Sequence, residues 1–359
     1  VLALSQIVSL VTSSCISKLS IAEYGINHPV SGFCSFSDHV KRSAMPRAVQ
    51  FGSYGGLEVL EIREVSMPSP QNGEIVVRVR AAGVNPGQAA IREGLMDTMN
   101  PAHFPSGQGT EFSGVVVAVA DNVTGVTVDD VVIGFSDGRD AQADFVRVPI
   151  TNVLTKPENI DWETAAVIPI TGATATSMIQ AVKIAKGDTV VVAGGAGGVG
   201  ATAVQLAILA GARVIATAGV SDQEAVRQLG ATPVVYGDGV LERTQAAAPG
   251  GVDAFLDTHG EGNADLAIAL GVSPDRIDTI IDFAVGQRLG ILTQGMYQLA
   301  DIRATVVQFA DLVASGAVTV PIRARFRLEE VREAYLELAG GRGIGKVVLD
   351  VSVESKPGD

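Results

Sequence analysis

Beyond residue 34 the chain contains no cysteine: its two, Cys15 and Cys34, both precede Met45. The body therefore has no disulfide framework and no thiolate for a structural zinc, and nothing in it demands an oxidising compartment. Positive charge is short as well: 26 Lys and Arg face 39 Asp and Glu, a formal net charge of -13. No dense Lys/Arg cluster supplies the basic field that a nucleic-acid footprint requires. Uninterrupted apolar runs long enough to span a bilayer are absent too. Aromatic residues make up 5% and hydrophobic residues 47%, so the cores must be filled by Ala, Val, Leu and Ile. That filling suits a parallel sheet covered by helices. The exclusions leave a cytoplasmic protein that handles small molecules, with neither nucleic acid nor membrane as partner.

The first 44 residues stand apart from the rest. VLALSQIVSLVTSSCISKLS is Ser-rich and weakly patterned, and no basic segment precedes its apolar run as in a secretory signal. Residues 1–44 are expected to be a disordered or non-native extension. A targeting segment and an added partner-binding element are the alternatives. Patterned sequence begins directly after Met45, which fits a start there.

From Met45 the pattern predicts an α/β protein of two domains. Residues 45–165 carry short alternating runs such as IVVRVRAAGV, EFSGVVVAV and DFVRVP, broken by turn residues. They read as a compact barrel-like domain. Residues 166–304 change character. WETAAVIPITGATATSMIQAV reads as helical pieces broken at Pro169. TVVVAG, RVIATAG, PVVYG and DAFLD then alternate with helical stretches, the signature of a doubly wound parallel sheet. Residues 305–359 give a helix, VTVPIRARF, a second helix and KVVLDV, read as a return to the first domain's sheet. ESKPGD is expected to fray.

Gly195, Ala196, Gly197, Gly198, Val199 and Gly200 spell G-x-G-x-x-G between the apolar strand TVVVAG and a helix opening near Val199. Alone the pattern is weak, and a purely structural loop is the plain alternative. In this context it predicts dinucleotide binding. Gly195 is expected to allow the tight turn, Gly197 the close approach of a pyrophosphate, and Gly200 the packing of helix on strand. The helix N-terminus adds free N–H groups and a positive dipole end. No Walker Lys-Ser or Lys-Thr follows, which disfavours a P-loop NTPase. The second strand ends in Ala216-Thr217-Ala218-Gly219-Val220-Ser221, with no carboxylate at its tip to hold a ribose 2′-OH. NADPH is therefore favoured over NADH, with Ser221 as a donor to the 2′-phosphate. Asp222 is an awkward neighbour for that phosphate, and Arg213 or Arg227 helps only if the fold brings it close.

The body's only histidines are His103, in the loop NPAHFPSG, and His259, after the strand that ends at Asp257. They cannot build a Cys/His/Cys or Cys/His/Glu zinc site, so chemistry here is expected to rely on cofactor position and hydrogen bonds. A loop role is the plain reading of His103. For His259 it is a turn or packing role.

Taken in order, YGGLEVLEIREV, VVRVRAAGVNP, GTEFSGVVVAV, AGGAGGVGATAVQLA, GARVIATA and GKVVLDV resemble the zinc-independent quinone oxidoreductase (zeta-crystallin-like) branch of the medium-chain dehydrogenase/reductase family. The resemblance spans about residues 45–355. It implies a GroES-like barrel-like catalytic domain, a Rossmann domain, a cleft between them and a homodimer. Asn85 stands where zinc-dependent members carry a cysteine, and Thr110 where they carry the histidine of G-H-E. The resemblance puts Asn85 near the nicotinamide, where its amide would orient an acceptor carbonyl; an Asn-Pro turn is the alternative. It puts Thr171, in ITGATA, near the nicotinamide carboxamide, with helix capping as the alternative. It puts Tyr236 against NADPH, with an edge-of-sheet role as the alternative.

The departures are the missing tyrosine after NP, Asp129 in place of a turn glycine, and GVSPDRIDTIIDFAVGQRLG in place of a PGGR turn. They put ordinary quinone specificity in doubt. The implied reaction is hydride transfer to a quinone or similar conjugated, electron-poor small molecule. An enone or enoyl reductase, another carbonyl reductase, and a catalytically weak NADPH-binding protein of regulatory or structural role are the alternatives.

Overall fold

The computed structural model describes residues 45–352. The expected extension, both cysteines and the ESKPGD tail lie outside the described residues. The expected fold class is borne out: a barrel-like antiparallel part is joined to a parallel, doubly wound sheet.

The first part runs β1 (Arg47–Phe51), β2 (Glu61–Glu64), β3 (Glu74–Val84), α1 (Pro86–Arg92), β4 (Ser106–Gly107), β5 (Glu111–Val119), β6 (Val131–Phe135), β7 (Phe145–Pro149) and β8 (Val153–Thr155). β1, β2 and β4 make a small antiparallel sheet. β3 is the spine of the larger one. One of its edges pairs with β5 throughout, with bulges at Val76/Val77 and Val79/Ala81 that bend it. The other edge is shared. Residues Glu74 to Arg78 pair with β7. Residues Ala81 to Val84 pair with a strand from the end of the chain.

α2 (Trp162–Ala181) then leads into the parallel sheet. The expected break at Pro169 does not occur: one helix runs through it. Proline normally removes a ladder bond and clashes one turn back. Here the helix is clamped by its surroundings, with residues Ala165 to Pro169 all buried. The next amide, of Ile170, donates out of the helix to Glu111 Oε2 at 3.0 Å. Tertiary packing has overridden local propensity.

The parallel sheet is built from β9 (Thr189–Ala193), α3 (Gly198–Leu209), β10 (Arg213–Ala218), α4 (Gln223–Gln228), β11 (Thr232–Val235), α5 (Val240–Ala247), β12 (Ala254–Asp257), α6 (Asn263–Ala269) and β13 (Ile277–Thr279). Its strand order is β11-β10-β9-β12-β13. The order reverses at β9, so the crevice for a ligand opens above the C-terminal end of that strand. β9 is buried on both faces: Val190 and Val192 join one core, Val191 and Ala193 the other. That is why TVVVA is a continuous apolar run and not an alternating one.

After α7 (Phe283–Leu289) and α8 (Ile302–Ala314), the chain gives β14 (Ile322–Arg327), α9 (Val331–Gly340) and β15 (Lys346–Asp350). β15 closes on β3 with Val347 opposite Val84, which sets Lys346 beside Asn85. Among the described residues no helix is long and apolar enough to cross a membrane.

Candidate active site

The site grows from three strand ends and one helix. Asn85 follows β3 and caps α1, whose first residue is Pro86. The amide of Asn85 donates to Gln88 Oε1 at 3.2 Å, which leaves its side chain for other work. Asn85 Nδ2 donates to Glu111 Oε1 at 2.9 Å, and Asn85 Oδ1 accepts from Lys346 Nζ. The Lys346 ammonium also donates to Glu111 Oε1 at 2.9 Å. Gly83 makes room for this cluster: a Cβ there would lie 2.2 Å from Glu111 Oε1.

Behind Asn85 lies a second polar layer. Tyr335 Oη donates to Gln88 Oε1 at 2.7 Å and accepts from Gln108 Nε2 at 2.8 Å. Gln88 Nε2 reaches Thr110 Oγ1 at 2.9 Å. Burial holds the Tyr335 phenol well above its ordinary range, so it stays protonated as a donor. Thr110 and Asn85 are thus tied together through the side-chain amide of Gln88. Among the described residues no group of three or more His, Cys, Asp and Glu is arranged to hold a metal ion. The donor set at Asn85 and Thr110 does not fit zinc.

Thr171 sits in the interior of α2, one residue past the amide that Glu111 holds. Its capping alternative is therefore excluded. The side chain is fully buried and its Oγ1 has no hydrogen-bond partner. Leaving a buried hydroxyl without a partner costs about 1–3 kcal/mol.

The glycine loop lies at the switch point. The turn glycine is Gly194, with φ 76°, and not Gly195 as expected. Gly195 instead packs its Cα face on β10, where a Cβ would lie 2.6 Å from Ala216 Cβ. The Gly194 amide donates to Thr217 Oγ1 at 3.1 Å, which pins the turn. Gly197 opens outward, since a Cβ there would meet only Gly194 O, at 3.2 Å. α3 begins at Gly198, so the N–H groups of Gly198, Val199 and Gly200 head a helix of 12 residues. A Cβ on Gly200 would come within 2.1 Å of Gly194 O. Ala196 is buried beneath the loop.

Ser221 and Tyr236 lie at the far end of this crevice. Ser221 Oγ turns to Asp222 Oδ1 at 3.3 Å. Tyr236 follows β11, is exposed, and stacks against His259 with ring centroids 6.3 Å apart. A Cβ on Gly219 would lie 3.4 Å from Tyr236 Oη and 3.6 Å from Asp222 Oδ2, so both groups flank the β10 tip. Arg213 is at the opposite end of β10 and caps Ala247 O, and Arg227 pairs with Glu224. Neither serves the tip. The amide of Gly343 does reach it, donating to Asp222 Oδ1 at 3.2 Å. His103 is exposed on its loop.

Asn85, Thr171 and the glycine loop are thus brought together, with Ser221 and Tyr236 at the remote end. The sequence reading missed Glu111 and Lys346. A charged residue opening each of two valine-rich strands, EFSGVVVAV and KVVLDV, was the available signal.

Two domain families match the chain: the alcohol dehydrogenase GroES-like domain over residues 71–217 and the zinc-binding dehydrogenase domain over residues 229–349. A quinone oxidoreductase of Pseudomonas aeruginosa is 30% identical, over 85% of this chain and 99% of that protein. A mouse synaptic vesicle membrane protein VAT-1 homolog-like is 26% identical, over 87% of this chain and 82% of that protein. The solved quinone oxidoreductase of Coxiella burnetii superposes with a TM-score of 0.75 at 26% identity, over 86% of this chain and 99% of its own.

Proposed function

The chain belongs to the quinone oxidoreductase-like branch of the medium-chain dehydrogenase/reductase family, and we propose that it reduces a quinone or similar conjugated, electron-poor small molecule with NADPH, without zinc. The observation that carries this reading is an outward-facing Gly197 ahead of α3 at the switch point, beside a buried, partnerless Thr171 hydroxyl in α2. The first offers volume and amides for a pyrophosphate. The second offers a donor for the carboxamide of a nicotinamide ring.

The dinucleotide, when bound, supplies hydride from nicotinamide C4. The protein's share is binding and orientation. The amides that head α3 hold phosphate charge. Thr171 fixes the ring. Asn85 retains one amide hydrogen beyond the bond to Glu111 and turns it to the acceptor oxygen. Asn85 and Thr171 orient; the proton that completes reduction is assigned to water. The residues at Asn85 and Thr110 do not suit a metal, and no step runs through one.

NADPH is favoured because β10 itself ends without a carboxylate, at Ala218, and the Ser221 hydroxyl follows it, although the Asp222 carboxylate flanks the same tip. Asp222 stands four residues past the strand end, with its charge engaged by the Gly343 amide and offset by Arg323 nearby. The working unit is proposed to be a cytoplasmic homodimer.

Anaerobic NADPH turnover with quinones, enones and enoyl thioesters, with product identification, tests the reading. Quinone reduction by zinc-free protein is the expected result. Turnover confined to enones or enoyl thioesters makes it an alkene reductase, and binding without turnover makes it an NADPH-binding protein of regulatory or structural role. Higher catalytic efficiency with NADH overturns the cofactor assignment.

A further inference from the structure

Lys346 touches both halves of the site. Its stem lies on the glycine loop: a Cβ on Gly198 would come within 2.3 Å of Lys346 Cδ. The residue before it, Gly345, donates its amide to Ala196 O at 2.9 Å and forms a parallel bridge with Gly197. Its ammonium holds Asn85 and Glu111, and the second oxygen of Glu111 holds the amide beside Thr171. The side chains of Lys346 and Glu111 are 5% and 0% exposed.

Burying such a pair is a poor way to gain stability, because desolvation offsets most of the attraction and an apolar pair of equal volume serves as well. What the pair does provide is a direction. A lysine ammonium only donates, and an ionised carboxylate only accepts. Set between them, the Asn85 amide has one orientation: oxygen to Lys346, nitrogen to Glu111. Its second N–H, and not its oxygen, is then the group left over for an acceptor. An acceptor carbonyl gaining negative charge needs that donor, and a flipped amide would present a repelling oxygen.

We propose that Lys346 is a positioning residue that fixes the polarity of the Asn85 amide and links it to the seating of the glycine loop. The inference rests on the reading that this loop binds a nicotinamide dinucleotide. Its consequence is that the acceptor is oriented by the same cation whose stem feels the loop.

The test uses the paired change Lys346→Met with Glu111→Gln, which keeps volume and strands no charge. It is made alone and in an Asn85→Ala background. Thermal unfolding, NADPH affinity by calorimetry, and kcat and KM for a quinone are read on each. The expected result is near-normal unfolding and NADPH affinity, with kcat lowered roughly tenfold to a hundredfold and KM little changed. In the Asn85→Ala background the paired change should cost almost nothing further, because the two act through one amide. Normal kcat in the paired variant, or independent multiplication of the two losses, overturns the proposal.

A second measurement needs no altered pair. The side-chain amide resonances of Asn85, assigned by their loss in Asn85→Ala, should shift when the unmodified protein is saturated with NADP+. Unchanged resonances on bound protein overturn the link to the loop. Failure of unmodified protein to bind the dinucleotide overturns the functional reading instead, and the inference falls with it.

Discussion

Asp129 stands where the resemblance implies a turn glycine, and its backbone shows why glycine would suit the position. Its φ is 73°, in the left-handed region. An L-residue pays there through the contact of Cβ with the carbonyl, by about 1–2 kcal/mol, with Asp and Asn at the low end. The turn cannot relax, because the Asp129 amide donates to Val116 O at 2.9 Å and the Asp130 amide to Thr127 O at 3.2 Å. The side chain itself is exposed. Asp129→Gly should therefore stabilise the protein by about 0.5–1 kcal/mol, the relief of strain being partly offset by a more flexible unfolded chain. Urea unfolding should show a higher midpoint at unchanged slope, with kcat unaltered. A lower midpoint would mean that the Asp129 carboxylate makes a contribution its geometry does not suggest.

At the scale of elements, the glycine loop and α3 separate two roles that one motif conceals. Gly197→Val adds a Cβ that meets one backbone atom, Gly194 O at 3.2 Å, at a backbone conformation any residue adopts, φ -68°. Folding should change by less than about 1 kcal/mol while NADPH affinity collapses. Gly200→Ala forces a Cβ to 2.1 Å from Gly194 O, so α3 must move off β9. That variant should lose about 1–3 kcal/mol of stability along with binding. Calorimetric titration beside circular dichroism distinguishes the two, and unchanged NADPH affinity in a folded Gly197→Val protein would remove the loop from the site.

The same contrast marks how far sequence reaches. The strands β9 to β12 and the loop were legible because period and glycine spacing are local signals, while the short β13 was not. The unbroken α2 was not, because the burial around Pro169 and the carboxylate that takes the Ile170 amide, 59 residues away in sequence, are tertiary features. The Lys346–Glu111 pair was not either, since 235 residues separate its members. Only the register of β15 on β3 and β5 on β3 brings them together.

At the scale of the whole molecule, the balance between folded and unfolded chains should carry the mark of one buried acid. Asp257 and Asp278 lie on neighbouring strands, both fully buried, with unequal company. Asp257 accepts from the amides of His259 and Gly260, from Asn263 Nδ2 and from Thr279 Oγ1. Asp278 accepts only the Gln294 amide, at 2.7 Å, and its Oδ2 has no partner. Burial, and then the charge of Asp257, push the Asp278 carboxyl up to about 7 from an ordinary value of 3.8, against the pull of the Gln294 amide. The folded state thus holds a proton that the unfolded chain releases near pH 4. Because the folded value is the higher one, the stability contributed by Asp278 is complete below about pH 4. It drains away as the pH climbs from about 4 to about 7 and is gone above that. By the linkage relation the loss is on the order of a few kcal/mol at most.

A net charge of -13 makes the raw pH profile a sum over many carboxylates, so the profile of the protein alone would not isolate this one. Asp278→Asn does, because it keeps the acceptor for Gln294 and removes the titration while leaving the other groups in place. Urea unfolding of both proteins at intervals from pH 4.5 to 8.5 should give nearly equal stabilities at the acid end. The Asn protein should gain on its parent steadily as the pH rises towards about 7 and hold that advantage above it. Parallel curves across the range would mean that Asp278 titrates like an ordinary surface acid, and that its strand edge opens to water in solution.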